Sequence, residues 1–165
     1  MECPPPDGIW YFGYGSNMHR GTFAGRRRMK PLATRVGRLD DHRLCFNIPI
    51  GPGERGVANV VPAAGSRVWG VLYLVTTEEF DRLDRTEAVH LGVYRRTPVE
   101  VVVAGEERVA AFTYCSMRTV EGRKPSPRYM RLLLEGAREH GLPAEYLRLL
   151  EGFELAIDER SPAPE

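Results

Sequence analysis

An almost unbroken apolar run, VWGVLYLV at residues 68–75, limits the folds that are open to this chain. Such a run is typical of a β-strand that is covered on both faces. The β-prone segments, including the strand that contains this run, lie at residues 9–14, 34–46, 56–61, 67–75, 93–103 and 108–117. Residues 104–107 fit a hairpin loop, so several strands are expected to be antiparallel neighbours. The sequence therefore predicts about six strands.

A short helix is predicted directly after the apolar run. Thr76 and Glu79 have the spacing of a capping box, in which each side chain satisfies a backbone N–H of the other residue. Phe80 and Leu83 then form the buried side of this helix. A further helix is expected at residues 144–153.

The clearest helix begins at Ser126 as the N-cap, followed by Pro127 at the first helical position. Its buried stripe has the spacing i, i+3, i+4, i+7 and consists of Met130, Leu133, Leu134 and Ala137. Gly141 and Pro143 end the helix in the manner of a glycine C-cap. A run of strands with one helix inserted, followed by helices, indicates the α+β class.

The chain has the size and charge of one ordinary globular domain. Its 165 residues match a single domain, which we place at residues 9–158, between a proline-rich disordered lead-in at 1–8 and a polar tail at 159–165. Lysine plus arginine number 23 and aspartate plus glutamate number 22, so the net charge of +1 gives no reason to expect nucleic acid or an anionic membrane as partner. The arginine triplet at 26–28 is interpreted as a solvated face.

The cysteines and histidines do not predict a metal site or a disulfide framework. Cys3, Cys45 and Cys115 are widely spaced without a CxxC pair, and the four histidines are not at ligand spacings. We expect Cys45 and Cys115 to pack as small apolar groups. No signal peptide precedes the first strand, and no apolar run reaches the ~20 residues that cross a bilayer. These features predict a reduced, cytoplasmic protein without a membrane partner.

The first candidate site is the glycine-flanked turn after the first strand, formed by Tyr14, Gly15, Ser16 and Asn17. Two glycines around a Ser-Asn turn expose several backbone N–H groups. If a helical turn begins near Asn17, these donors converge on an anion such as a carboxylate or a phosphate. By itself, the segment is better explained as a simple tight turn.

The second candidate is a carboxylate where the short helix ends. Glu87 lies beside apolar residues there, so its side chain could be partly desolvated and act as a general base. Asp84 is an equally plausible choice from the residues alone, and either side chain could simply be a surface carboxylate. The third candidate is a set of tyrosines at element ends, whose hydroxyls could face a cavity or the rim of the core: Tyr94, Tyr114 and Tyr129.

Five segments in order resemble the γ-glutamylcyclotransferase family, with its AIG2-like fold. They are YFGYGSN at 11–17, VWGV at 68–71, LDRTEAV at 83–89, GVY at 92–94, and the pair PSPRY at 125–129 and GAREHGLPAEY at 136–146. The resemblance covers about residues 9–154. The loop and the C-terminal helices are similar to the branch that acts on general γ-glutamyl amino acids rather than to the glutathione-specific branch.

The resemblance implies a fold, a reaction and residue roles. The fold is a compact, mixed, β-barrel-like sheet with flanking helices. In the family, the loop matching Tyr14, Gly15, Ser16 and Asn17 holds the γ-glutamyl group through backbone donors, and the glutamate matching Glu87 is the acid/base. The matching tyrosines line the same cavity. The reaction converts a γ-glutamyl amino acid or amide to 5-oxoproline and a free amine. It requires no cofactor and no metal, and the resemblance allows a homodimer.

Three alternatives stay open at this point. The substrate could be a γ-glutamyl-amine or a γ-glutamyl-protected biosynthetic intermediate, with the same lactam as product. The chain could instead be a non-catalytic module that binds a small carboxylate at the turn, or a nucleic-acid-binding domain that uses the arginine triplet. The residues do not specify the leaving group, the pathway or the oligomeric state. They also leave open whether the turn binds the substrate carboxylate or the oxyanion.

Overall fold

The structure is a computed structural model that describes residues 8–87, 89 and 92–157. Five strands form a closed barrel in the order β1-β3-β2-β4-β5. The strands are β1 (Gly8–Gly13), β2 (Ala33–Pro49), β3 (Gly56–Thr76), β4 (Arg95–Val103) and β5 (Glu107–Cys115). Together with the helices around it, this barrel confirms the predicted α+β class and barrel-like sheet. The predicted tail and all but the last residue of the predicted lead-in lie outside the described residues.

Two of the predicted strands are halves of one long strand. The segments 56–61 and 67–75 both belong to β3, which pairs with β2 over almost its whole length. Between the halves the register shifts, and the Asp41 carboxylate accepts the Gly65 N–H at 3.0 Å, with both residues at positive φ. This bulge lets the sheet bend without ending the strand. Five strands therefore account for the six predicted segments.

The barrel closes through β1, which pairs antiparallel with β3 and parallel with β5, where Tyr11 faces Phe112. The predicted hairpin between β4 and β5 is present, and Gly105 at its tip has a φ of +80°. The strand directions place the carboxyl ends of β1, β2 and β5 and the amino ends of β3 and β4 at the same end of the barrel. Side chains from all five strands can therefore meet there.

The part of the chain that the structure describes has three α-helices, α1 (Thr77–Thr86), α2 (Pro127–Glu139) and α3 (Ala144–Glu151). The two predicted N-caps are present, because the Thr76 hydroxyl accepts the Glu79 N–H and the Ser126 hydroxyl accepts the Tyr129 N–H, both at 3.1 Å. The Glu79 carboxylate accepts the Lys30 N–H at 2.9 Å, so the structure shows the Thr76 half of the predicted capping box. Gly141 follows α2 with a φ of +70°. Within the described part of the chain, no helix is long and apolar enough to cross a membrane.

Helix α2 packs against a 3₁₀ turn, Ser16–Met18, that follows β1. The contact is close because α2 carries Gly136 at this point. A Cβ on Gly136 would lie 2.6 Å from the carbonyl carbon of Met18 and 2.7 Å from the backbone nitrogen of His19. The helix backbone thus holds the glycine-flanked turn against the end of the barrel.

Candidate active site

A cavity of about 260 Å³ opens at the end of the barrel where the 3₁₀ turn, the end of α1 and the start of α2 meet. The eight residues that the family resemblance implies for the site all line this cavity: Tyr14, Gly15, Ser16, Asn17, Glu87, Tyr94, Tyr114 and Tyr129. They come from parts of the chain more than 100 residues apart. The structure therefore brings the three candidate sites together in one place.

The carboxylate in this cavity belongs to Glu87, the residue that caps α1. Its backbone N–H donates to the Leu83 carbonyl at 2.9 Å, so the helix fixes where the side chain starts. The side chain is 12% exposed. Burial raises the pKa of Glu87, while the charge of Arg27 and a hydrogen bond from Asn17 act in the opposite direction. Desolvation and these two favourable contacts thus oppose each other at one carboxyl group.

The Asn17 side chain connects the groups around Glu87. Its Nδ2 donates to Glu87 Oε1 at 3.1 Å and to the Tyr11 hydroxyl at 2.8 Å. Its Oδ1 accepts from Nε of Arg27 at 2.5 Å, which fixes the orientation of the amide. The Asn17 carbonyl accepts the Tyr73 hydroxyl at 2.8 Å. Asn17 is thus held on both its backbone and its side chain, and it holds the carboxylate in turn.

Arg27 reaches the cavity from a π-helical turn, Gly21–Arg26. Phe23 in this turn stacks on Tyr73 with the ring centroids 4.0 Å apart, which anchors the turn to the barrel. Nη2 of Arg27 then lies 3.6 Å from Glu87 Oε1, and the Arg27 side chain is 22% exposed. Two elements that are distant in the sequence therefore place an opposite charge beside the carboxylate.

Four phenols surround the remaining wall of the cavity. Tyr14 donates to the Tyr114 carbonyl, and Tyr94 donates to the Ala58 carbonyl at 3.3 Å. The Tyr129 hydroxyl accepts the Ala58 N–H at 3.1 Å. Burial raises the pKa of all four phenols, that of Tyr129 to about 12. They are therefore neutral near pH 7. The O–H groups of Tyr14, Tyr94 and Tyr114 already donate to protein acceptors, whereas the Tyr129 hydroxyl accepts from Ala58 and can donate its own proton to a bound oxygen.

Asp84, the alternative to Glu87, is not among the residues that line the cavity. Its carboxylate binds Nη2 of Arg96 at 2.7 Å and accepts the Tyr114 hydroxyl at 2.5 Å. The Arg96 guanidinium in turn lies over the ring of Phe80, 3.8 Å from its centroid. Asp84 thus ties α1 to the barrel and positions Tyr114. Of the two carboxylates, the geometry presents Glu87 to a ligand.

Comparison with known proteins identifies the family. A family model described as the AIG2-like family matches residues 67–150. The γ-glutamylcyclotransferase of Bos taurus is 33% identical over 150 residues, which cover 87% of this chain and 78% of the bovine protein. The chain belongs to the γ-glutamylcyclotransferase family.

A γ-glutamylcyclotransferase of Homo sapiens is 30% identical over 155 residues, which cover 92% of this chain and 81% of the human protein. A solved γ-glutamyl cyclotransferase structure superposes with a TM-score of 0.82 at 27% identity, over 93% of this chain and 92% of the other. The likeness extends over the barrel and the helices together. Family membership therefore applies to nearly the whole chain, as the five sequence segments predict.

Several residues that line the cavity of the present chain are not predicted from its sequence. Arg27 is the most informative of them, because the interpretation of the arginine triplet as a solvated face is wrong for it. Arg26 and Arg28 are exposed, and Arg26 also lines the cavity. The triplet has no spacing that distinguishes its middle member. Tyr11 also lines the cavity, but the sequence does not predict this, because a tyrosine inside a β-prone segment is typical of an ordinary core residue.

The residues of the cavity do not form a metal-binding set. Across residues 8–87, 89 and 92–157, no three side chains of histidine, cysteine, aspartate or glutamate come together to hold a metal ion. Cys45 and Cys115 are half-buried free thiols, and burial raises the pKa of both. Cys3 and His90 lie outside the described residues.

Proposed function

We propose that this enzyme converts a γ-glutamyl amino acid or amide to 5-oxoproline and a free amine, with Glu87 as the general acid and base. The observation that carries the proposal is the buried Glu87 carboxylate inside a cavity of hydrogen-bond donors. The reaction is an intramolecular aminolysis, in which the α-amino nitrogen of the substrate attacks its own γ-carbonyl carbon.

The buried carboxylate argues for catalysis over simple carboxylate binding. A pocket that only bound small carboxylates would gain nothing from Glu87, since two like charges in a desolvated site repel each other. A γ-glutamyl group carries both an α-carboxylate and an α-ammonium group. The ammonium group suits Glu87, and neutral donors suit the carboxylate. The binding-module alternative is therefore the weaker one.

In the proposed reaction Glu87 carries protons from the α-ammonium group of the substrate to the leaving nitrogen. The α-ammonium group has three protons, and the lactam nitrogen of 5-oxoproline keeps one. Glu87 accepts a proton from the ammonium group, which frees the lone pair for attack on the γ-carbonyl, and then returns it to the leaving nitrogen. A second transfer over the same route completes the leaving amine as an ammonium group. Such acid–base assistance typically contributes about 10²–10⁴-fold to a rate.

Positioning supplies the larger share of the rate. Closing a five-membered ring requires the amine to sit over the carbonyl carbon, and effective molarities for good intramolecular geometry reach roughly 10⁵–10⁸ M. Glu87 and Asn17 are fixed by several hydrogen bonds each, so the acceptor of the ammonium proton does not have to reorganise. Backbone N–H groups of Gly15, Ser16 and Asn17 bind the α-carboxylate or the developing oxyanion in this proposal.

The experiment is release of 5-oxoproline from γ-glutamyl dipeptides, glutathione and γ-glutamyl-amines by the parent and by Glu87→Gln. We expect product from the parent and no turnover from Glu87→Gln, with an unchanged circular dichroism spectrum and melting temperature. Glu78→Gln is the matched control, because Glu78 is an exposed carboxylate on the same helix, and it should retain parental rates.

Two results would overturn parts of the proposal. A Glu87→Gln enzyme that works at a near-parental rate removes Glu87 from the mechanism but leaves the family assignment intact. A well-folded parent that forms no 5-oxoproline from any substrate removes the general activity. The preferred substrate would also separate the general branch from the glutathione-specific one. Homodimer formation and a cytoplasmic location stay predictions.

A further inference from the structure

A second, smaller cavity borders the first one along the start of α2. It has a volume of about 80 Å³. The two cavities share four lining residues: Ile50, Val57, Tyr129 and Leu132. The proposed base Glu87 and its two partners, Asn17 and Arg27, line only the larger cavity. The two cavities therefore lie side by side, with the proposed base in the larger one.

The smaller cavity has a distinct chemical character. Its apolar wall comes from Ile50, Val57 and Leu132, and its eight lining residues include Arg55 and Arg128 but no carboxylate. Both arginines are only partly exposed and make other interactions. A guanidinium has five N–H donors, so it can keep those interactions and still bind an anion. The cavity thus combines an apolar surface with two positive charges.

The substrate has only one part that can extend into this second cavity. In the proposed reaction the γ-glutamyl half folds back on itself, so its amine and its γ-carbonyl stay near Glu87. The group on the scissile nitrogen points away from that compact half. The second cavity borders the first, so it is the place where the leaving group can extend.

We infer that the second cavity is the leaving-group subsite, and that Arg55 and Arg128 select a leaving amino acid with a free carboxylate. The inference rests on the proposed function and names its substrate class. The carboxylate of the leaving residue lies toward the two guanidinium groups, and a small apolar side chain contacts Leu132 and Ile50. The volume of about 80 Å³ is roughly five times the ~15 Å³ that one water-sized group needs, which suits a carboxylate with a short side chain.

The inference separates two substrate classes that the sequence leaves open. A γ-glutamyl-amine has no carboxylate on the leaving side, so it gains nothing from Arg55 or Arg128. A γ-glutamyl amino acid gains charge-assisted hydrogen bonds there. Each hydrogen bond to a charged group contributes enough to change kcat/KM by about 10- to 100-fold.

The test compares γ-glutamyl-leucine with γ-glutamyl-isoamylamine, which differ only by the carboxylate of the leaving group. We expect the parent to prefer the dipeptide by at least about 10-fold in kcat/KM. Arg55→Gln and Arg128→Gln should each lower kcat/KM for the dipeptide and leave the amine substrate unchanged. Arg131→Gln is the control, because Arg131 is exposed on the same helix and lines neither cavity.

The outcomes separate this inference from the proposed function. Equal kcat/KM for the two substrates in the parent, or an equal loss for both in the arginine variants, would overturn the subsite while the cyclisation itself stands. Absence of 5-oxoproline from both substrates in a folded parent would overturn the proposed function and the subsite with it. Leu132→Ala gives an independent check, since it should reduce the preference for γ-glutamyl-leucine over γ-glutamyl-glycine.

Discussion

Replacing Arg27 with methionine tests how the charge of Glu87 is controlled. Methionine has a similar length without the charge, so the variant removes the guanidinium 3.6 Å from Glu87 Oε1 and its hydrogen bond to Asn17. Arg27 favours the ionised form of Glu87 against the burial that raises its pKa. Without Arg27 the pKa of Glu87 rises further, and a larger fraction of the carboxyl group is protonated at neutral pH. A protonated Glu87 cannot accept the proton of the ammonium group.

The distance sets the size of the effect. At 3.6 Å, two unit charges interact by about 5 kcal/mol for an effective dielectric constant of about 20. Water that enters in place of the guanidinium recovers part of this energy, and opposite charges within this range typically shift a carboxyl pKa by about 1–3 units. We therefore expect the acidic limb of the pH profile of kcat/KM to move up by about 1–2 units. The loss of rate is then large below that limb and small above it.

The assay is 5-oxoproline release between pH 5 and pH 9 for the parent, Arg27→Met and Arg28→Met. Arg28 is the matched control, because it is an exposed neighbour that does not line the cavity and its loss changes the net charge equally. Only Arg27→Met should move the acidic limb, since kcat/KM reports the ionisation of the free enzyme. An unmoved limb with a uniformly lower rate would refute the reasoning and point to a contact between Arg27 and the substrate.

Two further predictions concern packing and the thiols. Gly136→Ala places a Cβ 2.6 Å from the Met18 carbonyl carbon. We therefore expect the free energy of unfolding, measured in urea, to fall by about 1–3 kcal/mol, together with a lower turnover. An unchanged unfolding midpoint would contradict the close contact. Alkylation of Cys45 and Cys115 should leave 5-oxoproline release at the parental rate, because neither thiol lines the cavity. An abrupt loss of activity would support a thiol mechanism instead.

Local signals predict the elements of this fold well. The N-caps of α1 and α2, the glycine after α2 and the hairpin at Gly105 all follow from short-range chemistry that the sequence displays directly. The strand boundaries are less predictable, because Gly65 and its neighbours look like a turn. They become a bulge within β3 only because β2 continues beside them. A long-range partner thus decides whether the same residues end a strand or bend it.

The proposed site residues were recognisable for a different reason. The turn at Gly15 and the carboxylate of Glu87 have ordinary local readings, and only their order along the chain, matched to a family, brings them together. Arg27 has no such signal. Its position follows from the π-helical turn and from the stacking of Phe23 on Tyr73, which are tertiary features. A sequence reading therefore finds the proposed base but not the residue that adjusts its pKa.

The opposing effects on the pKa of Glu87, burial on one side and Arg27 with Asn17 on the other, suit the proposed reaction. A carboxylate in open water is too weak a base to hold the proton of an ammonium group, whereas a fully desolvated one would be protonated before the substrate arrives. Burial moves the pKa of Glu87 upward, and Arg27 with Asn17 limits that movement, so the group is more basic than an exposed glutamate without the full effect of desolvation. An arriving ammonium group replaces water as the partner of this carboxylate. The binding step thereby positions the proton for transfer to the group that the barrel, α1 and the π-helical turn hold in place.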